Sequence, residues 1–170
     1  VVKEPTEFIT DQYYPTLKHD TSAVKNNAIL DSHNVITGPN ASGKTTFLKT
    51  TALNIIFTQQ LGVGFYDSCC LIPYKHMHSY LNIPDTSGRD SLFQAESRRC
   101  KEILDSINHT PNEHHFCIFD ELYSGTNPDE ATKAAYAFMK YISAKPNVKL
   151  LLTTHYVSIC EKWKKDKIEN

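Results

Sequence analysis

The segment Gly38-Pro39-Asn40-Ala41-Ser42-Gly43-Lys44-Thr45 constrains this chain more than any other. Before it, His33-Asn34-Val35-Ile36-Thr37 reads as a short buried strand. After it, Lys44 to about Gln60 lacks Gly and Pro and carries Phe47, Leu48, Leu53, Ile55 and Ile56 at roughly helical spacing, with Gly62 and Gly64 as stops. The eight residues match G-x-x-x-x-G-K-[ST] in the strand–loop–helix setting that the motif requires. The glycines let backbone N–H groups curl closely around phosphate oxygens, where a side chain would collide. Lys44 brings a charge towards the β- and γ-phosphates, Thr45 offers a hydroxyl to Mg²⁺, and the helix N-terminus adds partial positive charge. The segment predicts a triphosphate site.

Downstream, Phe116-Cys117-Ile118-Phe119 is too short for a helix and suits a central strand. It ends in Asp120-Glu121, the place where an Asp holds Mg²⁺ through its water shell and a following Glu can polarise an attacking water. Taken alone, the acidic pair equally suits a plain loop opening; the upstream loop favours the metal reading. Ser124 to Asn127 reads as a turn capping a helix over Pro128–Ser143, with Pro128 in its first turn. Val148–Thr153 reads as another buried strand, and Tyr156–Lys167 as a closing helix. His155, just after that strand, is placed to sense a γ-phosphate. Arg89–Asn108 is a long helix candidate with an apolar face of Leu92, Phe93, Ala95, Ile103, Leu104 and Ile107. Cys70-Leu71-Ile72 and Met77–Leu81 are candidate short strands, Asn82–Gly88 a loop, and the first thirty residues loop with brief extended pieces. Strands alternating with helices of this length predict parallel crossovers and an α/β sandwich.

Composition narrows the class. The 170 residues are 40% hydrophobic and 22% charged, a folded profile with room for a real core. Eighteen Lys and Arg against nineteen Asp and Glu give a net charge of −1, which argues against a free-standing nucleic-acid binder but not against the motor half of a DNA-acting machine. No apolar run approaches the ~18 residues needed to span a bilayer, and no secretory-type leader is visible. The five cysteines, Cys69, Cys70, Cys100, Cys117 and Cys160, form no CxxC pair and predict reduced, mostly buried thiols in an intracellular, reducing compartment. Cys69 and Cys70 with His76 and His78 fit no standard zinc spacing. Val1 in place of Met fits a piece of a longer chain.

Four stretches in order carry a family resemblance: Thr37-Gly38-Pro39-Asn40 to Thr46; Gly88-Arg89-Asp90-Ser91-Leu92-Phe93 with Glu96; Asp120-Glu121-Leu122-Tyr123-Ser124-Gly125-Thr126; and Thr153-Thr154-His155-Tyr156. Together they resemble the C-terminal ATPase domain of the MutS mismatch-repair family, one of the ABC-type ATPases. The resemblance implies a P-loop NTPase fold, a three-layer sandwich with a mainly parallel central sheet, over residues 31–170. Residues 1–30, with Tyr13-Tyr14-Pro15 and Val24-Lys25-Asn26-Asn27, resemble the lead-in that contacts the nucleotide base, Val24 and Asn26 included.

By the same resemblance Gly38, Pro39, Asn40, Ala41, Ser42, Gly43, Lys44, Thr45 and Thr46 hold ATP or ADP, with Asn40 on phosphate or the hydrolytic water. Thr45 and Asp120 serve Mg²⁺, Glu121 is the general base and His155 the switch. Ser91 reaches the nucleotide of an opposing subunit, a homodimer mate or a paralogue; a helix cap is its alternative role. The expected function is an ATPase motor that controls a DNA clamp, with DNA held by domains outside this chain and no membrane involved. Ala-Ser-Gly-Lys-Thr and Leu-Tyr-Ser-Gly-Thr-Asn-Pro depart from the common Gly-Gly-Lys-Ser and Ile-Gly-Arg-Gly-Thr-Ser, which points to a divergent branch. Chromosome-structure and transport ATPases carry Leu-Ser-Gly-Gly where this chain has the Ser91 segment. A nucleotide-gated module with little turnover would not need Glu121 and His155.

Overall fold

The computed structural model describes residues 6–17, 24–81, 83 and 91–168. Four strands, β3 (Asn34–Thr37), β5 (His76–Tyr80), β6 (His115–Asp120) and β7 (Val148–Thr154), form a parallel sheet in the order β3-β7-β6-β5. The helices are α1 (Lys44–Leu61), α2 (Leu92–His109), α3 (Pro128–Ser143) and α4 (Val157–Ile168). The alternation of strand and helix thus gives the expected α/β domain with a parallel sheet. A second sheet, antiparallel, orders as β2-β1-β4, from β1 (Phe8–Gln12), β2 (Asn26–Ile29) and β4 (Ser68–Cys70).

The two central strands are buried on both faces, and their side chains alternate between two cores. Cys117 and Phe119 of β6 and Leu150 and Leu152 of β7 pack with Ile103 and Ile107 of α2 and Ala135 and Met139 of α3. Phe116, Ile118 and Leu151 face the opposite way, onto Leu48 and Ile55 of α1 and Ile9 and Ala28 of the small sheet. Truncating Phe119, 1% exposed, to Ala would cost about 3–5 kcal/mol.

Helix ends follow their local chemistry. Gly62 ends α1 in the left-handed region, its N–H returning to the Thr58 carbonyl. Asn127 caps α3 through the Asp129 N–H, with Pro128 in the first turn. Within α1, Thr50, Thr51 and Thr58 donate their hydroxyls to the carbonyls four residues back, which satisfies polar groups on a buried face.

Three expectations need correction. The strand expected at Cys70–Ile72 lies at Ser68–Cys70, because the Ile72 N–H turns to the buried Glu7 carboxylate and leaves the ladder. Helix α2 begins at Leu92, not Arg89, because Ser91 caps it; Asn82, 84–88 and the rest of the stretch to Asp90 lie outside the described residues. The thiols are free but not mostly buried: Cys100 and Cys117 are, Cys69 and Cys160 are half-buried, and Cys70 is exposed on the edge strand. Burial pushes the Cys100 thiol up to about 12 and Cys117 higher still. Among the described residues no helix is long and apolar enough to cross a membrane.

Candidate functional site

The Gly38–Thr45 loop bridges β3 and α1, and two of its residues are left-handed, Ala41 (φ 60°) and Gly43 (φ 91°). Gly43 takes the N-cap position without a side-chain cap, so the first N–H groups of α1 face the loop. Pro39, Asn40, Ala41, Ser42 and Gly43 are exposed, and a Cβ at Gly38 would meet the Ser42 hydroxyl at 3.1 Å. Lys44 is 8% exposed and folds back across the loop, its ammonium donating to the Gly38 and Pro39 carbonyls at 2.9 and 3.0 Å. Next to it, Thr45 is half-buried and Thr46 exposed.

Parallel register carries the acidic pair to this loop. Strand β7 lies between β3 and β6, with Thr154 opposite Thr37 and Thr153 opposite Asp120. The Asp120 carboxylate accepts from the Thr45 hydroxyl at 2.8 Å and, through its other oxygen, from the Thr153 hydroxyl. Glu121 is left-handed (φ 53°), and its N–H donates to the Thr153 carbonyl at 3.1 Å. This turn brings its carboxylate within 3.7 Å of both the Lys44 ammonium and His155 Nδ1. His155 is exposed and stacks at 4.0 Å, tilted, on the Tyr156 ring.

Beside the loop opens a pocket of about 750 Å³, with Tyr13, Tyr14, Val24 and Asn26 of the lead-in on one wall and Ala41 to Lys44 on the other. The structure therefore brings the lead-in residues and the loop together. Its volume suits a nucleotide. The donor set at Thr45 and Asp120, hard oxygens from one hydroxyl and one carboxylate, suits Mg²⁺, which keeps water and phosphate in its remaining positions.

Ser91 does not line this pocket. It is exposed at the N-cap of α2, where its hydroxyl accepts the Gln94 N–H and the Gln94 side chain accepts the Ser91 N–H, a full capping box. Sequence reasoning gave no role to Thr153, the second hydroxyl on Asp120. Its signal was present, a Thr at the tip of an apolar strand, but only the β6–β7 register pairs it with Asp120.

A family model described as MutS domain V matches residues 34–170. Endonuclease MutS2 of Staphylococcus aureus (strain bovine RF122 / ET3-1) is 29% identical over 157 residues, which cover 91% of this chain and 20% of that protein. Endonuclease MutS2 of Staphylococcus haemolyticus (strain JCSC1435) matches to the same extent. The chain thus spans about a fifth of the length of the curated relatives it matches. With the family match running from β3 to the end of the chain, this chain belongs to the MutS family, through its domain V.

Proposed function

We propose that the chain is the ATPase module of a MutS-like DNA mismatch repair or recombination protein, a P-loop domain of the ABC type. In this reading residues 1–30 are the lead-in that contacts the base and residues 31–170 the ATPase domain. ATP enters the pocket between the two, with the base against Tyr13, Tyr14, Val24 and Asn26 and the phosphates on the Gly38–Thr46 backbone. The observation that carries the reading is the contact between Thr45 and Asp120, which joins the phosphate loop to the acidic strand end in one constellation.

Lys44 is already poised on the loop and exchanges the Gly38 and Pro39 carbonyls for phosphate oxygens. Thr45 and Asp120 would hold Mg²⁺, which when bound would neutralise developing charge on the phosphates. Glu121, held by its left-handed backbone, accepts a proton from the attacking water as that oxygen bonds to the γ-phosphorus and the bond to the β-phosphate oxygen breaks. His155 orients Glu121 and senses the γ-phosphate. A second subunit, identical or paralogous, contributes Ser91, and ATP binding and hydrolysis set the state of a DNA clamp built by domains outside this chain. Steady-state phosphate release with Mg²⁺ and with chelator, for wild type and Glu121→Gln, tests this reading. Mg²⁺-dependent release that falls about 10²-fold or more in Glu121→Gln, with ATP still bound, supports it. Equal turnover in the two proteins overturns it.

A further inference from the structure

The core-facing stripe of α2 contains one residue that does not belong in a stripe. Its buried positions are Glu96, Cys100, Ile103 and Ile107, spaced as one helix face. Glu96 is 2% exposed; its Oε1 accepts from the Ser124 hydroxyl at 3.4 Å, and its Oε2 has no hydrogen-bond partner among the described residues. A buried carboxylate costs several kcal/mol relative to an apolar side chain of the same size, so stability does not account for it.

What surrounds Glu96 is the loop that carries Glu121. The Tyr80 hydroxyl, at the end of β5 and 2% exposed, lies near the Glu96 carboxylate and accepts the Tyr123 N–H at 3.3 Å. Tyr123 is left-handed (φ 58°), as is Glu121 two residues before it. Such residues persist only where their surroundings hold them. The same loop rests on α2 at three further points. The Phe93 and Tyr123 rings lie 5.4 Å apart, the Cys100 thiol lies beside the Tyr123 side chain, and a Cβ at Gly125 would sit 2.5 Å from Leu92 side-chain atoms. Helix α2 and residues 123–125 therefore pack together, with Ser91 at the exposed tip of α2 and Glu121 two residues before Tyr123.

We propose that Glu96 and Tyr80 are positioning residues for Glu121: Glu96 accepts the Ser124 hydroxyl, Tyr80 accepts the Tyr123 N–H, and together they fix the left-handed turn that aims Glu121. Through this pair any displacement of α2 reaches the Glu121 carboxylate. The inference rests on the proposed role of Glu121 as base, and the test separates the two.

The test uses the full natural protein with Tyr80→Phe, Glu96→Met, Glu96→Gln and Glu121→Gln. Tyr80→Phe removes one oxygen and keeps the ring; Glu96→Met keeps the volume and removes the acceptor; Glu96→Gln keeps an acceptor. Misaiming of the base should lower kcat about ten- to hundredfold in Tyr80→Phe and in Glu96→Met. The Kd for ATP should stay within about twofold, the signature of an interaction made only in the transition state. Melting temperature should hold or rise in Glu96→Met, and Glu96→Gln should recover most of the turnover. Tyr80→Phe placed in Glu121→Gln should slow it no further. Turnover near wild type in both Tyr80→Phe and Glu96→Met, while Glu121→Gln is slow, overturns the positioning role and leaves the base assignment standing. A loss of ATP affinity or of melting temperature that matches the loss of kcat also overturns it, as a structural effect. Normal turnover in Glu121→Gln overturns the base assignment and this inference with it.

Discussion

The Thr45 hydroxyl donates to Asp120 Oδ2 at 2.8 Å, joining residues 75 positions apart in the chain. The Thr153 hydroxyl occupies the other Asp120 oxygen, so both lone-pair sets of this carboxylate are oriented by neighbours. Such orientation matters for a group that holds a metal and little for one that only opens a loop.

Asp120→Asn is therefore expected to weaken ATP binding in Mg²⁺ by about 10- to 100-fold, the usual effect of disturbing the shell around a metal ligand. Binding in the presence of chelator should change little. Titration calorimetry under both conditions measures the difference. An equal loss in both would mean that Asp120 acts on the nucleotide or the loop rather than on the ion.

Lys44→Ala removes the ammonium that bridges the Gly38 and Pro39 carbonyls. A charge-assisted contact to phosphate contributes about 1.5–3 kcal/mol, so ATP affinity should fall by roughly 10- to 100-fold. The comparison is made on a variant whose circular dichroism matches wild type. Unchanged affinity there would remove Lys44 from the site.

Away from the loop, three imidazoles stack at the start of β5 and β6. His115, fully buried, lies 4.5 Å from His76 and 5.3 Å from His78. His115 Nε2 donates to the Thr110 carbonyl at 3.1 Å, which leaves its Nδ1 to accept from His78 Nε2 at 3.0 Å. Burial first, then the charges of His115, His76 and Arg99, push His78 down to about 4, and burial also lowers His115. Glu113, hydrogen-bonded to Lys75 and His76, lies below the usual carboxylate range. Both lowered histidines bind protons more readily unfolded than folded, so their contribution is complete above the ordinary histidine value and is lost as the pH falls towards 4. At pH 5 the His78 part should amount to about 1–2 kcal/mol, allowing for solvent at this half-buried ring. Urea unfolding at pH 7.5 and pH 5 reads it, and His78→Gln should flatten the slope. A slope unaltered by that change would place the proton uptake elsewhere.

What the sequence revealed depended on how local each cause is. Helix α3 is legible because its start signals, Asn127 and Pro128, sit beside the segment they govern. Strand β6 is legible because burial on both faces makes it a continuous apolar run. The small sheet was not, because β2 reads Asn26-Asn27-Ala28-Ile29 with one buried residue, and β1 finds β4 across some sixty positions of sequence. At the site, the loop and the acidic pair are contiguous motifs and could be read directly. Thr153, Tyr80 and Glu96 act through strand register and helix packing, and no spacing along the chain encodes those.

The last prediction concerns the second subunit. Ser91 is exposed, lies outside the pocket beside the Gly38–Thr45 loop, and caps α2 through a capping box with Gln94. If it completes the partner's site, loss of Ser91 and loss of Lys44 damage different sites of a two-fold dimer. A Ser91→Ala subunit keeps its own Lys44, and when paired with a Lys44→Ala subunit it faces an intact Ser91. Equal mixing should therefore restore activity to about a quarter of the wild-type value per subunit, from random pairing with one intact site in each mixed dimer. Specific activity of the wild type should then also rise with protein concentration, since a site shared between subunits would leave each chain alone without part of the positioned surface. The cap needs its own control, because removing it costs about 0.5–2 kcal/mol of helix stability. Gln94→Ala breaks the same capping box but leaves the Ser91 hydroxyl, so it should lower the melting temperature without abolishing turnover. A mixture no more active than the mean of its two parents would show that each subunit hydrolyses ATP on its own, with Ser91 serving only α2.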